Sequence, residues 1–310
     1  MSSYIIKRVI LLIPMLLGIT MITFALTKAL PGDPVYTMVG ERSSLEIIEK
    51  VRREIGADKG IVRQYIEYVS LLAKGEMGRS YYTNRKVLDD IKSRFPKTLV
   101  LAAGAMFIAV PPGIGLGLLA ALRKGAIADR IISTASMIFI SVPVFWSGLL
   151  IMLFFSLSLK LLPPSGTGGP RYILLPSLTL ALPALATIIR VTRVSVLDVV
   201  NMPFIRTARA KGIKKKSINT LHIMKNALIP VVTVIGLDFG SYLNGAVLTE
   251  TIFGWDGIGR FMMEGIIKRD YPVIMGCIIV GTVIFVLINL LVDVIYHYVD
   301  PRVRLHGTDR

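Results

Sequence analysis

The stretch from residue 190 to residue 230, RVTRVSVLDVVNMPFIRTARAKGIKKKSINTLHIMKNALIP, lies between two long apolar runs. It holds nine Lys or Arg residues against one acid, Asp198. Short loops with that much positive charge stay on the cytoplasmic side of a membrane. The pattern therefore predicts a cytoplasmic loop, at 190–228, between two membrane spans.

The composition of the whole chain agrees with this interpretation. Of the 310 residues, 53% are hydrophobic and 18% are charged, and the mean hydropathy is +0.65. A soluble domain of this length does not have such values, so the composition predicts an integral membrane protein. The net charge of +16 is spread over loops between apolar runs. Membrane topology explains that charge better than nucleic-acid binding does, and the expected surroundings are membrane lipid.

Six stretches are long and apolar enough to cross a bilayer, which takes about 20 helical residues. They lie at 9–29, 98–122, 131–158, 172–189, 229–249 and 273–298. Prolines are expected to kink the second span, at 111 and 112, and the third, at 143. The prediction is an all-α integral membrane protein made of an N-terminal anchor (1–30), an extracytoplasmic helical cap (31–97) and a five-span core (98–310).

The distribution of Lys and Arg predicts the orientation. Placing both termini in the cytoplasm puts seventeen of them in cytoplasmic segments and five in the short outer loops. Within the long loop at 31–97, the run SSLEIIEKVRREIG places Leu45, Ile48, Val51 and Ile55 on one helical stripe. A second helical pattern, IVRQYIEYVSLLAKG, follows it.

Catalytic motifs give no support to an enzyme. The chain has no GxxxxGK[ST] phosphate loop, no HExxH and no GxSxG, and its three histidines are far apart. The only cysteine, Cys277, lies inside an apolar run, where a packing role is expected. We therefore expect a non-catalytic conduit without a metal or cofactor of its own.

A conduit needs a source of energy, and two kinds remain open. An ion-coupled secondary transporter would use acids inside its spans, of which Asp238 and Asp293 are the candidates. Asp238 lies mid-span beside Gly236, with Asn244 nearly two turns further on. Asp238 and Asn244 are therefore candidates for a substrate path, with a buried polar contact as the alternative for Asp238. The other source is an ATPase supplied by a partner, for which the basic loop is the docking candidate.

The sequence PFIRTARAKG within that loop predicts a short helix with a proline start and a glycine stop. The run RTARAKG followed by HIMKNALIPVVT closely resembles the cytoplasmic loop of permease subunits of binding-protein-dependent ABC importers. It is most similar to the first permease of the dipeptide, oligopeptide and nickel group. The resemblance covers nearly the whole chain through LPGDP, GEMGRS, FPKTLVLA, LPSLTLALP, ETIFGWDGIGR, RDYPVIMG and DPRVR, in that order.

This resemblance implies a type I ABC importer permease fold, similar to the methionine importer permease, with 98–310 as the permease core. It implies that a coupling helix contacts the ATPase through Arg206, Thr207, Ala208, Arg209, Ala210, Lys211 and Gly212. The general importer pattern has glutamate where this chain has Arg206, a departure shared by the peptide subgroup. Any contact made by that glutamate is therefore in doubt here.

The implied partners are a second related permease, two ATPase subunits that bind ATP and Mg²⁺, and an extracytoplasmic solute-binding protein. The implied location is a bacterial or archaeal cytoplasmic membrane. The implied mechanism is alternating access, with Phe253 and Trp255 near an outer gate or under the binding protein. An interfacial anchor is the alternative for Trp255. Trp146, in VPVFWSG, is a further candidate for the substrate path, and the phrase is similar to nickel-type members. A peptide is the favoured substrate of the implied importer, and a nickel chelate is the alternative substrate.

Overall fold

The computed structural model describes residues 2–29, 34–40 and 43–299. Its helices follow one another along the chain, and two of them continue into wider π-helical turns, at Leu153–Ser158 and Ile218–Ile223. The helices are α1 (Ser2–Ala29), α2 (Pro34–Val39), α3 (Leu45–Glu54), α4 (Ile61–Ala73), α5 (Val87–Leu122), α6 (Ile127–Ser141), α7 (Val144–Met152), α8 (Pro170–Val200), α9 (Pro203–Ala210), α10 (Lys215–Ser217), α11 (Met224–Leu243), α12 (Val247–Ile252), α13 (Ile258–Lys268) and α14 (Tyr271–Val299).

Five helical segments of the described chain are long and apolar enough to cross a membrane: Ile10–Ala29, Val87–Leu122, Pro170–Val200, Lys215–Leu243 and Tyr271–Ile295. A sixth span results if the pair Ile127–Ser141 and Val144–Ser158, which is bent by 100°, counts as one. The predicted all-helical membrane fold with six apolar stretches is thus confirmed at the level of the elements.

The sharp bend in the third apolar stretch has a local cause. Pro143 has no N–H to donate, and its ring disfavours a helical conformation for the preceding residue. Val142 is accordingly extended, with φ −84° and ψ 126°, and α7 begins only after Pro143. The expected kink is therefore a complete break. Pro111 and Pro112, in contrast, lie within α5 without interrupting it.

Several predicted boundaries differ from the observed ones. Helix α8 extends to Val200, so the first part of the predicted cytoplasmic loop is helical. Helix α5 begins at Val87, inside the predicted cap. The fifth span starts earlier than predicted and ends at Leu243, because a turn with Gly245 at φ +112° follows.

The two helices predicted in the cap are present as α3 and α4, and the short helix α2 precedes them. Ser44 caps α3 by accepting a hydrogen bond from the Ile47 N–H, and α4 follows after Gly60. Ile48 is buried as expected, but Leu45 is 76% exposed and does not belong to the buried stripe. A residue in the first turn of a short helix has few neighbours to cover it.

The chain divides into two compact units, one of residues 1–99 with 243–286 and the other of 100–242 with 287–310. A cluster around Val87, Ile91, Ile258 and Cys277 forms a core of the first unit, which confirms the packing role of the cysteine. Two clusters form cores of the second unit. The fragments LPGDP, except for its last proline, and DPRVR lie outside the described residues.

Candidate functional site

The short helix α9 has both terminal signals that its sequence predicts. Met202 is extended, and Pro203 occupies the first helical position, where its missing N–H costs nothing. At the other end the Gly212 N–H donates to the Arg209 carbonyl at 3.0 Å, and the Ile213 N–H donates to the Ala208 carbonyl at 3.3 Å. This pair of bonds is a Schellman motif, which needs a left-handed residue, and Gly212 has φ +73°.

One face of α9 is fixed to the rest of the second unit. Ile205 is fully buried and Ala208 is 5% exposed. They pack in an apolar cluster with the end of α5, the end of α8 and the beginning of the fifth span, whose members are Ala121, Val196, Val199, Ile218, Ile223, Met224 and Ala227. Close packing in this cluster therefore connects α9 with three long helices.

The opposite face of α9 is exposed and basic. Arg206, Thr207, Arg209, Ala210 and Lys211 are all exposed. No acid in the described part of the chain pairs with these three cations. The helix thus presents unpaired positive charge on a rigidly held element.

Phe204 adds an apolar side chain, 41% exposed, to the same surface. Ala208 corrects the predicted contact set. Its side chain is 5% exposed and faces the chain's own core, so of the seven predicted residues it is the one that the structure gives a packing role.

The candidates for a substrate path lie in α7, in α11 and in the turn that follows α11. Asp238 lies five residues before the end of α11 at Leu243, and not mid-span as predicted. It is partly buried, and its Oδ2 is buried without a hydrogen-bond partner in the described structure. Gly236 lets the final helix approach, since a Cβ there would overlap Val292. Asn244 corrects a prediction, because α11 ends at Leu243 and the helical spacing that aligned it with Asp238 does not continue. Trp146 is 48% exposed in the first turn of α7.

The first unit contains a buried carboxylate that sequence reasoning missed. Glu250 is fully buried in α12. Its Oε1 accepts from the Thr98 hydroxyl at 2.8 Å and its Oε2 accepts from the Arg260 N–H at 2.9 Å, at the start of α13. A Cβ on Gly257 would overlap this carboxylate, and one on Gly259 would come within 2.9 Å of Oε2. The two glycines of DGIGR thus allow the backbone to enclose Glu250.

Phe253 and Trp255 belong to the same packed region. They are 2% and 6% exposed, and the Trp255 indole N–H donates to the Lys97 carbonyl at 3.1 Å. The alternative of Trp255 as an anchor at the lipid interface is therefore wrong, because its ring is enclosed by the protein. The role of both residues near an outer gate stays a prediction.

An ion-pair network lies at the surface of this packed region. Lys97 and Arg94 both donate to Asp256, and the Arg94 guanidinium stacks on the Phe261 ring at 4.4 Å. Burial by itself raises the pKa of Asp256, but the hydrogen bond from Lys97 and the charges of Arg94 and Lys97 outweigh it and hold the pKa below its usual value.

The fragments that carried the family resemblance in this unit contact one another. FPKT meets ETIFGWDGIGR through Lys97 and Thr98. GEMGRS meets RDYPVIMG through the Ser80 hydroxyl, which donates to Asp270 at 2.6 Å. We name this region, residues 78–80, 94–98, 250–261 and 269–272, the motif junction. Glu250 and Asp270 could have been suspected from the sequence, as acids close to glycine or proline turns within apolar surroundings, but their partners could not.

The fold and the exposed helix define a multi-pass helical membrane protein that presents a firmly packed basic helix between two of its spans. The chain belongs to the family described as binding-protein-dependent transport system inner membrane component, which matches residues 113–305. Residues 1–102 match the N-terminal membrane component of such transport systems. The predicted family is confirmed.

Named relatives are similar over nearly the full length. The di/tripeptide transport system permease protein DppB of Pseudomonas aeruginosa strain UCBPP-PA14 is 39% identical, over 98% of this chain and 99% of its own. The dipeptide transport system permease protein DppB of Escherichia coli strain K12 is 37% identical, and the glutathione transport system permease protein GsiC of the same strain is 39% identical, with the same coverage.

Solved structures support the fold independently. Two inward-facing crystal forms of the MetNI methionine ABC transporter match 68% of this chain and 96% of theirs, with TM-scores of 0.57 and 0.58. Their sequence identities, 19% and 18%, are low enough that the likeness concerns the fold alone. The fold is that of a type I ABC importer permease.

Proposed function

We propose that this chain is the first permease subunit of an ATP-driven importer of di- and oligopeptides. The observation that carries the proposal is the similarity, over 98% of the chain, to permeases named for dipeptides, di/tripeptides and glutathione. Glutathione is itself a tripeptide, so one substrate class covers the three relatives. A nickel chelate is not favoured, since none of these three relatives is named for a metal.

The proposed assembly contains a second related permease, two ATPase subunits and a solute-binding protein outside the membrane. ATP and Mg²⁺ would bind to the ATPase subunits, and this chain would be a non-catalytic translocation subunit with both termini in the cytoplasm of a bacterial or archaeal cell. Membership in the binding-protein-dependent family supports this arrangement.

Helix α9 is the proposed coupling helix. Its buried face supports this role because it joins three long helices, and its exposed face supports it because Arg206, Arg209 and Lys211 form no ion pair with an acid in the described part of the chain. Acids in a cleft of an ATPase subunit would pair with these cations. Closure of the ATPase dimer would then draw α9 and the helices packed on it, and open the cavity outward. Hydrolysis would return the cavity to the inward-facing state.

The proposed substrate path includes Asp238, with Trp146 and Asn244 as further candidates. The Oδ2 of Asp238 supports its inclusion, since it is buried without a hydrogen-bond partner in the described structure and acids inside membrane spans commonly mark substrate paths.

The test is uptake of labelled dialanine in cells whose only copy of this chain carries Gly212→Glu. We expect uptake to fall to background while membrane insertion is normal. No atom lies within 4 Å of a Cβ at Gly212, so the substitution acts through the left-handed backbone and through negative charge beside the basic surface.

Gly75→Glu is the matched control. Gly75 has φ +76°, the same open surroundings and the same pair of backbone bonds at the end of α4. This variant should keep its uptake, because α4 is not the proposed coupling helix. Normal uptake with Gly212→Glu, or equal loss in both variants, would show that α9 does not couple.

A further inference from the structure

The second unit contains an ion pair that neither the family nor the relatives' names explain. Arg193 of α8 donates through Nε to Asp129 Oδ1 at 2.6 Å and through Nη2 to Oδ2 at 2.9 Å. Such a two-point contact between guanidinium and carboxylate fixes orientation as well as distance. It joins two helices whose paired residues are 64 positions apart in the sequence.

Asp129 is satisfied from its own side as well. The Gly125 N–H donates to Oδ2 at 2.9 Å, and the Ser133 hydroxyl donates to Oδ1 at 3.3 Å. Its side chain is only 6% exposed, whereas that of Arg193 is 27% exposed. The carboxylate therefore ties together the turn before α6, the first turns of α6 and the helix α8.

The position of Arg193 along α8 relates this contact to the proposed coupling helix. Val196 and Val199, one and two turns further along, pack in the apolar cluster that holds Ile205 and Ala208 of α9. The same end of α8 thus contacts α9 through apolar side chains and α6 through the ion pair. Helix α6 is the first half of the bent third span.

We propose that Asp129 and Arg193 are positioning residues that carry the movement of α9 through α8 into the third span. The inference rests on the proposed function, since it requires α9 to be the coupling helix. Apolar packing between two helices resists separation but allows sliding, whereas a two-point ion pair also opposes rotation. Without the pair, α8 would follow α9 while α6 would lag behind it.

The test compares transport with ATP hydrolysis in the complex purified with its native partners through a tag on this chain. The complex is reconstituted in liposomes with its binding protein, and labelled dialanine is the probe. For Asp129→Asn, which keeps the shape and removes the charge, we expect dialanine transported per ATP hydrolysed to fall about tenfold, within the usual range of coupling between distant sites. ATP hydrolysis itself should be retained, because the variant leaves the exposed face of α9 unchanged.

Arg193→Lys provides a second variant that keeps the charge and loses the two-point geometry, and it should also lower the ratio. Arg190→Lys and Asp198→Asn make the same two replacements at exposed positions of α8 and serve as controls, for which we expect an unchanged ratio. A normal ratio in both Asp129→Asn and Arg193→Lys overturns the inference. If neither variant assembles, the pair is a structural staple and the inference is equally wrong.

Gly212→Glu, measured alongside, separates the two proposals. Undiminished transport in that variant overturns the coupling role of α9 and the present inference with it. Loss of transport in Gly212→Glu together with a normal ratio in Asp129→Asn overturns only the role of the ion pair.

Discussion

At the scale of single residues, Glu250 is a buried acid that lies outside the spans. It is fully buried, and in the described part of the chain no Lys or Arg side chain pairs with it. Burial raises the pKa of its carboxyl group, and the hydrogen bonds from the Arg260 N–H and the Thr98 hydroxyl lower it by less. The Arg260 guanidinium is directed to Glu264 and the Gly254 carbonyl.

The raised pKa predicts a pH dependence of stability. The folded state holds this proton more tightly than the unfolded state, so the stabilisation is complete below the ordinary glutamate value of 4.5 and is lost as the pH rises through the folded pKa. Asp256, whose pKa is lowered, contributes with the opposite sign. We therefore expect Glu250→Gln to remove a part of the pH dependence of the melting temperature, with a gain over wild type that grows as the pH rises above the ordinary glutamate value of 4.5.

Thermal unfolding of the purified complex in detergent at several pH values measures this effect. Glu264→Gln is the control, because Glu264 lies on the neighbouring helix α13 and its side chain is 45% exposed. Parallel curves for wild type and Glu250→Gln would mean that Glu250 does not change its protonation between the two states.

Gly212 shows that a single residue can predict where a helix ends. A proline start and a glycine stop nine residues later predict a short helix. The structure has both, with Pro203 in the first turn of α9 and a Schellman motif at Gly212. Which of its residues face outward is a different matter. Ala208 and Arg209 are neighbours in a uniformly helix-forming run, and only the apolar cluster beneath α9 determines that Ala208 is buried.

At the scale of the elements, close contact between α5 and α8 organises the second unit. Gly104, Gly113 and Gly117 of α5 face Ser177, Ile188 and Thr192 of α8. Small residues let helix backbones approach in a membrane, where lipid offers no hydrophobic drive for association. The spacing of these glycines therefore marks a helix interface, whereas Gly115 has no neighbour within 4 Å.

This interface predicts a contrast between two alanine substitutions. In Gly117→Ala the new Cβ would lie 2.7 Å from the Ile189 carbonyl oxygen and 2.6 Å from the Thr192 Cβ, so the helices must separate. We expect a loss of about 1–3 kcal/mol, as for other overpacked sites, seen as a lower melting temperature in detergent. Gly115→Ala, on the same helix, should leave the melting temperature unchanged or raise it. Equal melting temperatures for the two variants would contradict the observed contact.

At the scale of the whole molecule, each unit assembles segments that are distant in the sequence. In the first unit the motif junction joins residues 78–80 with 269–272, and 94–98 with 250–261. In the second unit α9 packs on residues from α5, α8 and the fifth span. The basic surface of α9 forms no ion pair with the described part of its own chain, so we expect its acidic partners on another subunit.

The proposed assembly makes a direct prediction. Affinity purification through a tag after Arg310, from native membranes in mild detergent, should recover a second multi-pass chain and ATPase subunits, identified by mass spectrometry. With Gly212→Glu we expect the second permease to be retained and the ATPase to be lost or strongly reduced, since that variant alters only the coupling surface. Reproducible recovery of the chain alone would contradict an ATP-driven importer and favour an ion-coupled carrier that depends on Asp238.

The sequence by itself determined the class of the protein, its six apolar stretches, the ends of α9 and the family. Hydropathy over about 20 residues, the missing N–H of proline and the left-handed conformation of glycine are local properties. Ordered fragments that resemble a family are likewise visible without a structure. The sequence predicts a kink at Pro143, which is where the helix breaks, but it does not predict the size of the bend, which is 100°.

Only the tertiary structure decided which side chains meet. Thr98 and Glu250 are 152 positions apart, and Asp129 and Arg193 are 64 apart, so no local pattern pairs them. The sequence placed Arg193 in an exposed basic loop, yet the helix continues past it and a buried acid binds it. Charge alone does not distinguish a solvated arginine from a paired one, because the difference lies in the neighbours that folding brings to it.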